Sequence, residues 1–142
     1  MNKIIELPTG LDIDRKHLPQ ITSDNLKKFL KFLKNNGIEL SIEKIPVKDL
    51  KPMQGHLNAE KIKSMSKNKG SLKPVIISDD NYILDGHHGW AARYLSDKNY
   101  LAKCIKANVD ASELYNTAME FKPAKYKGIN EIKYKNFYEF EL

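Results

Sequence analysis

The sequence predicts an α+β fold, a small mixed sheet with packed helices. Three observations carry that reading: stretches of period-2 apolar alternation, stretches of helical period, and their interleaving along a chain long enough for a single core. The chain has 142 residues, 41% hydrophobic and 30% charged, which suits one soluble globular domain.

The elements follow in order. Residues 1 to about 19 carry turn formers at Pro8-Thr9-Gly10 and a basic pair at Arg15-Lys16, and read as an extended arm. Thr22-Ser23-Asp24 then offers N-cap oxygens to a helix. Leu26, Phe29, Leu30 and Leu33 recur along its inner face, and Asn35-Asn36-Gly37 stops it. Lys27, Lys28, Lys31 and Lys34 fill the opposite face, read as a solvated surface or as a contact for an acidic partner.

Residues 38–45 alternate as a half-buried strand, and 46–52 continue it into a turn. A second helix is expected from its N-cap Asn58 through Lys61, Ile62 and Met65 to Lys69-Gly70. Leu72–Ser78 and Tyr82–Leu84, joined by the turn Asp79-Asp80-Asn81, read as a hairpin. A loop, Asp85–Gly89, leads to a helix from Trp90, a strand over 100–107, a helix over 111–121, and a tail mixing Lys122, Lys125, Lys127, Lys133 and Lys135 with aromatic residues. The divisions are an arm, helix and strand over 1–44, a core domain over 45–121, and a basic-aromatic extension over 122–142.

Charge and cysteine content narrow the function classes. Lys and Arg number 24 against 18 Asp and Glu, a formal charge of +6, which favours anionic partners. One cysteine, Cys104, excludes an intramolecular disulfide and a Cys-rich zinc module. No run approaches the roughly 18 apolar residues of a membrane span, and the first residues lack a signal peptide's apolar stretch, so a cytoplasmic protein is expected.

The loop Asp85-Gly86-His87-His88-Gly89 places a carboxylate, two glycines and two imidazoles between a buried strand and a helix. Unpaired N–H groups at that helix start can hold a phosphate or carboxylate. Gly86 lets backbone approach closely, and His87 and His88 can donate to phosphate oxygens or relay a proton. Two other readings stand beside this one. In the first, Gly86 makes a tight turn, Asp85 caps the helix and the histidines are passengers. In the second, Asp85 and the histidines bind a metal with His56 or His17, although neighbouring helical side chains diverge by about 100°. Trp90 and Tyr94, four apart, read as core packing.

The segment 83–92, with its preceding hairpin, resembles the signature loop and helix of the ParB/sulfiredoxin superfamily. Pro46–Pro52 resembles that family's opening strand, Asn58–Met65 its first helix, and Leu72–Ile77 its central strand. With residues 14–21 and Lys51-Pro52-Met53-Gln54, the chain is most similar to phage-encoded ParB-like nuclease-domain proteins. The resemblance implies a nucleotide-phosphate pocket that takes ATP or CTP with Mg2+. Gly86, His87 and His88 would form the phosphate loop, Lys61 and Ser64 would face it from the first helix, and Gln54 and His56 would sit at the rim. Asp85 would orient a magnesium-bound water or a substrate hydroxyl.

Two departures bear on activity. Sulfiredoxins carry a cysteine where this chain has His87, so sulfinic-acid reduction is not expected. The arginine that follows the family's histidine is Gly89 here, which implies either weak or absent NTP turnover or substitution by Arg93, one turn along the same helix. The expectation is a nucleotide-binding protein, a Mg-dependent NTPase or phosphotransferase in a host cytoplasm. The alternatives are a metal-dependent DNA nuclease, with Asp79, Asp80 and Glu60 as helpers to Asp85, or a non-catalytic protein that binds DNA through its basic flanks or sits in a virion.

Overall fold

A computed structural model describes residues 10, 11, 13, 17–19, 21–55, 62 and 73–121. The fold is α+β. Its five strands are β1 (Leu40–Pro46), β2 (Lys51–Pro52), β3 (Val75–Ile77), β4 (Tyr82–Asp85) and β5 (Leu101–Ala107). They form one mixed sheet in the order β1-β5-β3-β4-β2. β1 runs antiparallel to β5 over its whole length, β3 parallel to β5, β4 antiparallel to β3, and β2 parallel to β4. The described helices are α1 (Leu26–Asn35), α2 (His87–Ser96) and α3 (Ala111–Ala118).

Side-chain alternation sorts the core onto two faces. Ile76, Leu84 and Ile105 project to one, where α1 supplies Phe29 and Leu33, α3 supplies Ala111, Leu114 and Ala118, and Phe121 closes the end. Val75, Ile77, Ile83, Ala102 and Cys104 project to the other, against Val47, Leu50 and the Trp90-Ala91-Ala92 stripe of α2. Ile62, the one described residue of the expected second helix, is buried with this second group. The rest of that helix and the whole tail after Phe121 lie outside the described residues.

Local chemistry explains where the elements end. The N-cap of α1 is Asn25, just after the expected Thr22-Ser23-Asp24, because Ser23–Asn25 forms a 3-10 turn, and it makes no side-chain capping bond. Its C-terminus is a Schellman motif. The Ile38 N–H donates to the Leu33 carbonyl and the Gly37 N–H to the Lys34 carbonyl, with Gly37 at φ +81°. Ile38 and Leu33 are both core residues, so the stop also anchors the chain entering β1. α3 is capped by Asp110, whose side chain accepts from the Glu113 N–H. In the hairpin turn, Ser78 Oγ accepts from the Tyr82 N–H at 3.0 Å, and Asn81 takes the left-handed conformation, φ 67°.

Leu11, Ile13 and Leu18 are tied to the body of the fold. Leu11 and Ile13 donate to the Pro52 and Met53 carbonyls, Gly55 donates back to Ile13, and Leu18 is fully buried. The arm thus covers the β2 edge of the sheet. Among the described residues, no helix is long and apolar enough to cross a membrane.

Replacing Gly37 with alanine forces an L-residue into the left-handed region at the end of α1. The expected loss is about 1 kcal/mol of unfolding free energy, read as a lower urea midpoint at unchanged m-value.

Candidate functional site

The junction between β4 and α2 is shaped by a register change. Ile77 pairs with Ile83, whereas Ile76 pairs with Asp85, so Leu84 and Asp85 together oppose one residue of β3. Such a bulge re-aims the side chain that follows it. It brings Asp85 onto the face shared with Ile76, where the Ile21 N–H donates to its carboxylate and Lys73 lies nearby. Burial nevertheless dominates and pushes the Asp85 carboxyl from its ordinary 3.8 up to about 6, against the lowering effects of the Ile21 N–H and the Lys73 charge.

Gly86 then turns the chain at φ +106° and is the N-cap of α2, with no side-chain capping bond. A Cβ at this position would meet only ordinary contacts with Val75, so the demand for glycine is conformational. The helix begins at His87, three residues before its expected start, with Trp90 donating its backbone N–H to the Gly86 carbonyl. The five-residue loop of the sequence reading is therefore one turn residue and a first helical turn. That turn holds His87, His88 and Gly89, all buried, and no acidic residue.

His87 is 4% exposed, and its Nε2 accepts from two backbone N–H groups, those of Met53 and Gln54, each at 3.1 Å. A ring nitrogen used as an acceptor carries no proton, which assigns the neutral ring's hydrogen to Nδ1. Nε2 of His87 is thus engaged by the main chain and pins α2 to the segment that follows β2. Gln54, which the family resemblance put at a pocket rim, is buried and joined to His87 through its backbone. No signal in the sequence marks this pairing, because the partners are main-chain amides 33 and 34 residues away.

The remaining candidates disperse. His88 is buried at 8% exposure beside His87. Lys61, Ser64, His56 and Glu60 lie outside the described residues. Asp79 and Asp80 sit in the hairpin turn, at the opposite end of β4 from Asp85. His17 is exposed, with its carbonyl accepting from the Tyr115 hydroxyl at 2.8 Å. Arg93 places its guanidinium over the Tyr100 ring, 4.5 Å from the centroid. Trp90 is fully buried, donates from Nε1 to the Val47 carbonyl at 2.8 Å, and packs on Tyr94. Burial also pushes the Cys104 thiol up to about 11, which leaves it an unreactive core residue. Among the described residues, no three His, Cys, Asp or Glu side chains come together to hold a metal ion.

Two measurements check this geometry. His87→Ala leaves two amides without the acceptor they share and opens a void, so stability falls by about 2–3 kcal/mol in urea melts. For Asp85, a proton held more tightly in the folded chain stabilises it fully below about pH 4, and that contribution disappears as pH rises through about 6. Wild type therefore loses about 2 kcal/mol relative to Asp85→Asn between pH 4 and 7, after allowance for screening. Parallel stability profiles for the two proteins would contradict the raised carboxyl.

No family model matches the chain, and no solved structure matches it. The chain is similar to an uncharacterized protein of Methanocaldococcus jannaschii, at 29% identity over 102 residues, which covers 66% of this chain. The match spans 38% of the length of that curated relative.

Proposed function

We propose that the chain binds a nucleoside triphosphate, ATP or CTP, with its phosphates against Gly86 and the first turn of α2, in the manner of the ParB/sulfiredoxin superfamily. The observation that carries this reading is the start of α2: a left-handed glycine as N-cap, no side-chain capping bond and no acidic residue in the first turn. The positive end of a ten-residue helix carries no carboxylate within its own first turn, which favours an anion.

His88 and the backbone of the first turn orient the phosphates, and His87 fixes the helix so that the orientation is held. Asp85, with its carboxyl at about 6, exchanges a proton near neutral pH and serves as the base for an acceptor hydroxyl or water. Asp85 would hold a Mg2+ ion through a bound water, and the ion would supply charge neutralisation at the phosphates. Lys61 and Ser64, outside the described residues, belong to the same proposal as phosphate contacts. The setting is the cytoplasm.

A second reading has its own observation. Lys27, Lys28, Lys31 and Lys34 are all exposed on α1, and none has an acidic partner among the described residues. This face suits a nucleic-acid backbone, in which case affinity falls steeply with salt. Nuclease action ranks behind both, since Asp79 and Asp80 are remote from Asp85.

Titration calorimetry with ATP, CTP and GTP plus Mg2+ tests the proposal. Saturable heat with at least one nucleotide is expected, reduced by tenfold or more in affinity in His88→Ala. Absence of heat with all three overturns it.

A further inference from the structure

The two edges of the sheet are treated differently. The β2 edge is covered by Leu11 and Ile13, whereas β1, at the other end of the strand order, pairs on one side only among the described residues. The Asn108 N–H donates to Glu39, and the Val47 N–H to Tyr100, so odd-numbered positions of β1 face β5. The main-chain groups of Leu40, Ile42 and Lys44 therefore point outward. Pro46, which has no N–H, ends the open edge.

The side chains beside this edge are unusual. On one face Glu43 reaches Lys106 at 3.7 Å. On the other, Lys44 stands directly opposite Lys103 in a pair of the non-hydrogen-bonded kind, where side chains lie closest. Like charges so placed are destabilising, and neither lysine has an acidic partner among the described residues. Ile42, 61% exposed, and Leu101, 53% exposed, flank them on the same face.

The chain itself contains a segment of matching chemistry. Tyr138-Glu139-Phe140-Glu141-Leu142, outside the described residues, alternates apolar and acidic side chains with the period of a strand. Its five residues match Ser41–Ile45, the register in which its glutamates share the face of Ile42 and Lys44. Phe121, the last described residue, packs against Phe29 and Phe32 of α1, on the same side of the sheet as Lys44 and Lys103. Residues 122–136 can extend about 50 Å, more than the breadth of a domain of this size.

We propose that Tyr138–Leu142 of the same chain adds to β1 as a sixth strand. Glu139 and Glu141 lie on the lysine face and neutralise the Lys44–Lys103 pair. The apolar row Tyr138, Phe140 and Leu142 extends the face that α2 covers. The tail thereby closes the open edge, which otherwise invites pairing between copies of the chain.

Amide hydrogen exchange on the full chain, followed residue by residue by NMR, tests this. The Ile42 and Lys44 amides are expected to exchange at least tenfold more slowly in wild type than in E139K/E141K, with Ile105 as an unchanged core reference. The charge-swapped variant K44E/K103E/E139K/E141K is expected to restore the protection. Equal exchange in wild type and E139K/E141K overturns the proposal. Protection that grows with protein concentration also overturns it, by assigning the edge to a second copy.

Discussion

The structure depends on β3. It pairs with β4 through Ile76 and Ile77 on one side and with β5 through all three residues on the other, and Val75, Ile76 and Ile77 are all buried. A strand enclosed in this way has no polar face to offer water, so both faces of the sheet require a helical layer. α1 and α3 supply one and α2 the other, and the short apolar run of β3 determines that the chain must wrap around it. The small residues Ala91 and Ala92 let α2 approach closely, while Trp90 fills the remaining volume and satisfies its indole N–H on Val47.

The candidate site lies where this layering is tied together. His87 opens α2 and at the same time accepts from the amides that follow β2, and those residues also hold Ile13 of the N-terminal arm. Arm, edge strand and helix start form one hydrogen-bonded stack. A buried acceptor shared by two amides defines where the helix start sits, which is the kind of support a phosphate-orienting turn needs. The Asp85 carboxyl beside it is tied through Ile21 to the segment that leads into α1.

Much of the fold was legible in the sequence because it rests on local signals. The Leu26–Leu33 periodicity, the Asn36-Gly37 stop, the β-branched run of β3 and the Asp79-Asp80-Asn81 turn each act within a few residues and led to the right element. The start of α2 was misplaced for a physical reason. His87, His88 and Gly89 are weak helix formers, and what holds them helical is tertiary: burial, and a bond to amides distant in sequence. The bulge that turns Asp85 toward Ile21 is likewise a property of the pairing with β3, invisible in Asp85's own neighbours. The candidate site was thus legible as a set of adjacent residues, and the division of labour among them was not.

The pairing of β1 with β5 carries a consequence for how the protein is made. Leu40 meets Ala107 and Pro46 meets Leu101, so the sheet joins segments far apart in the chain, with β3, β4 and α2 between them. On a ribosome, β1 emerges long before its only described partner strand and must wait, edge exposed, until β5 has cleared the exit tunnel. Completion of the core is then set by loop-closure entropy over that span rather than by any local element, and the nascent chain spends that interval with apolar strand surface available to chaperones.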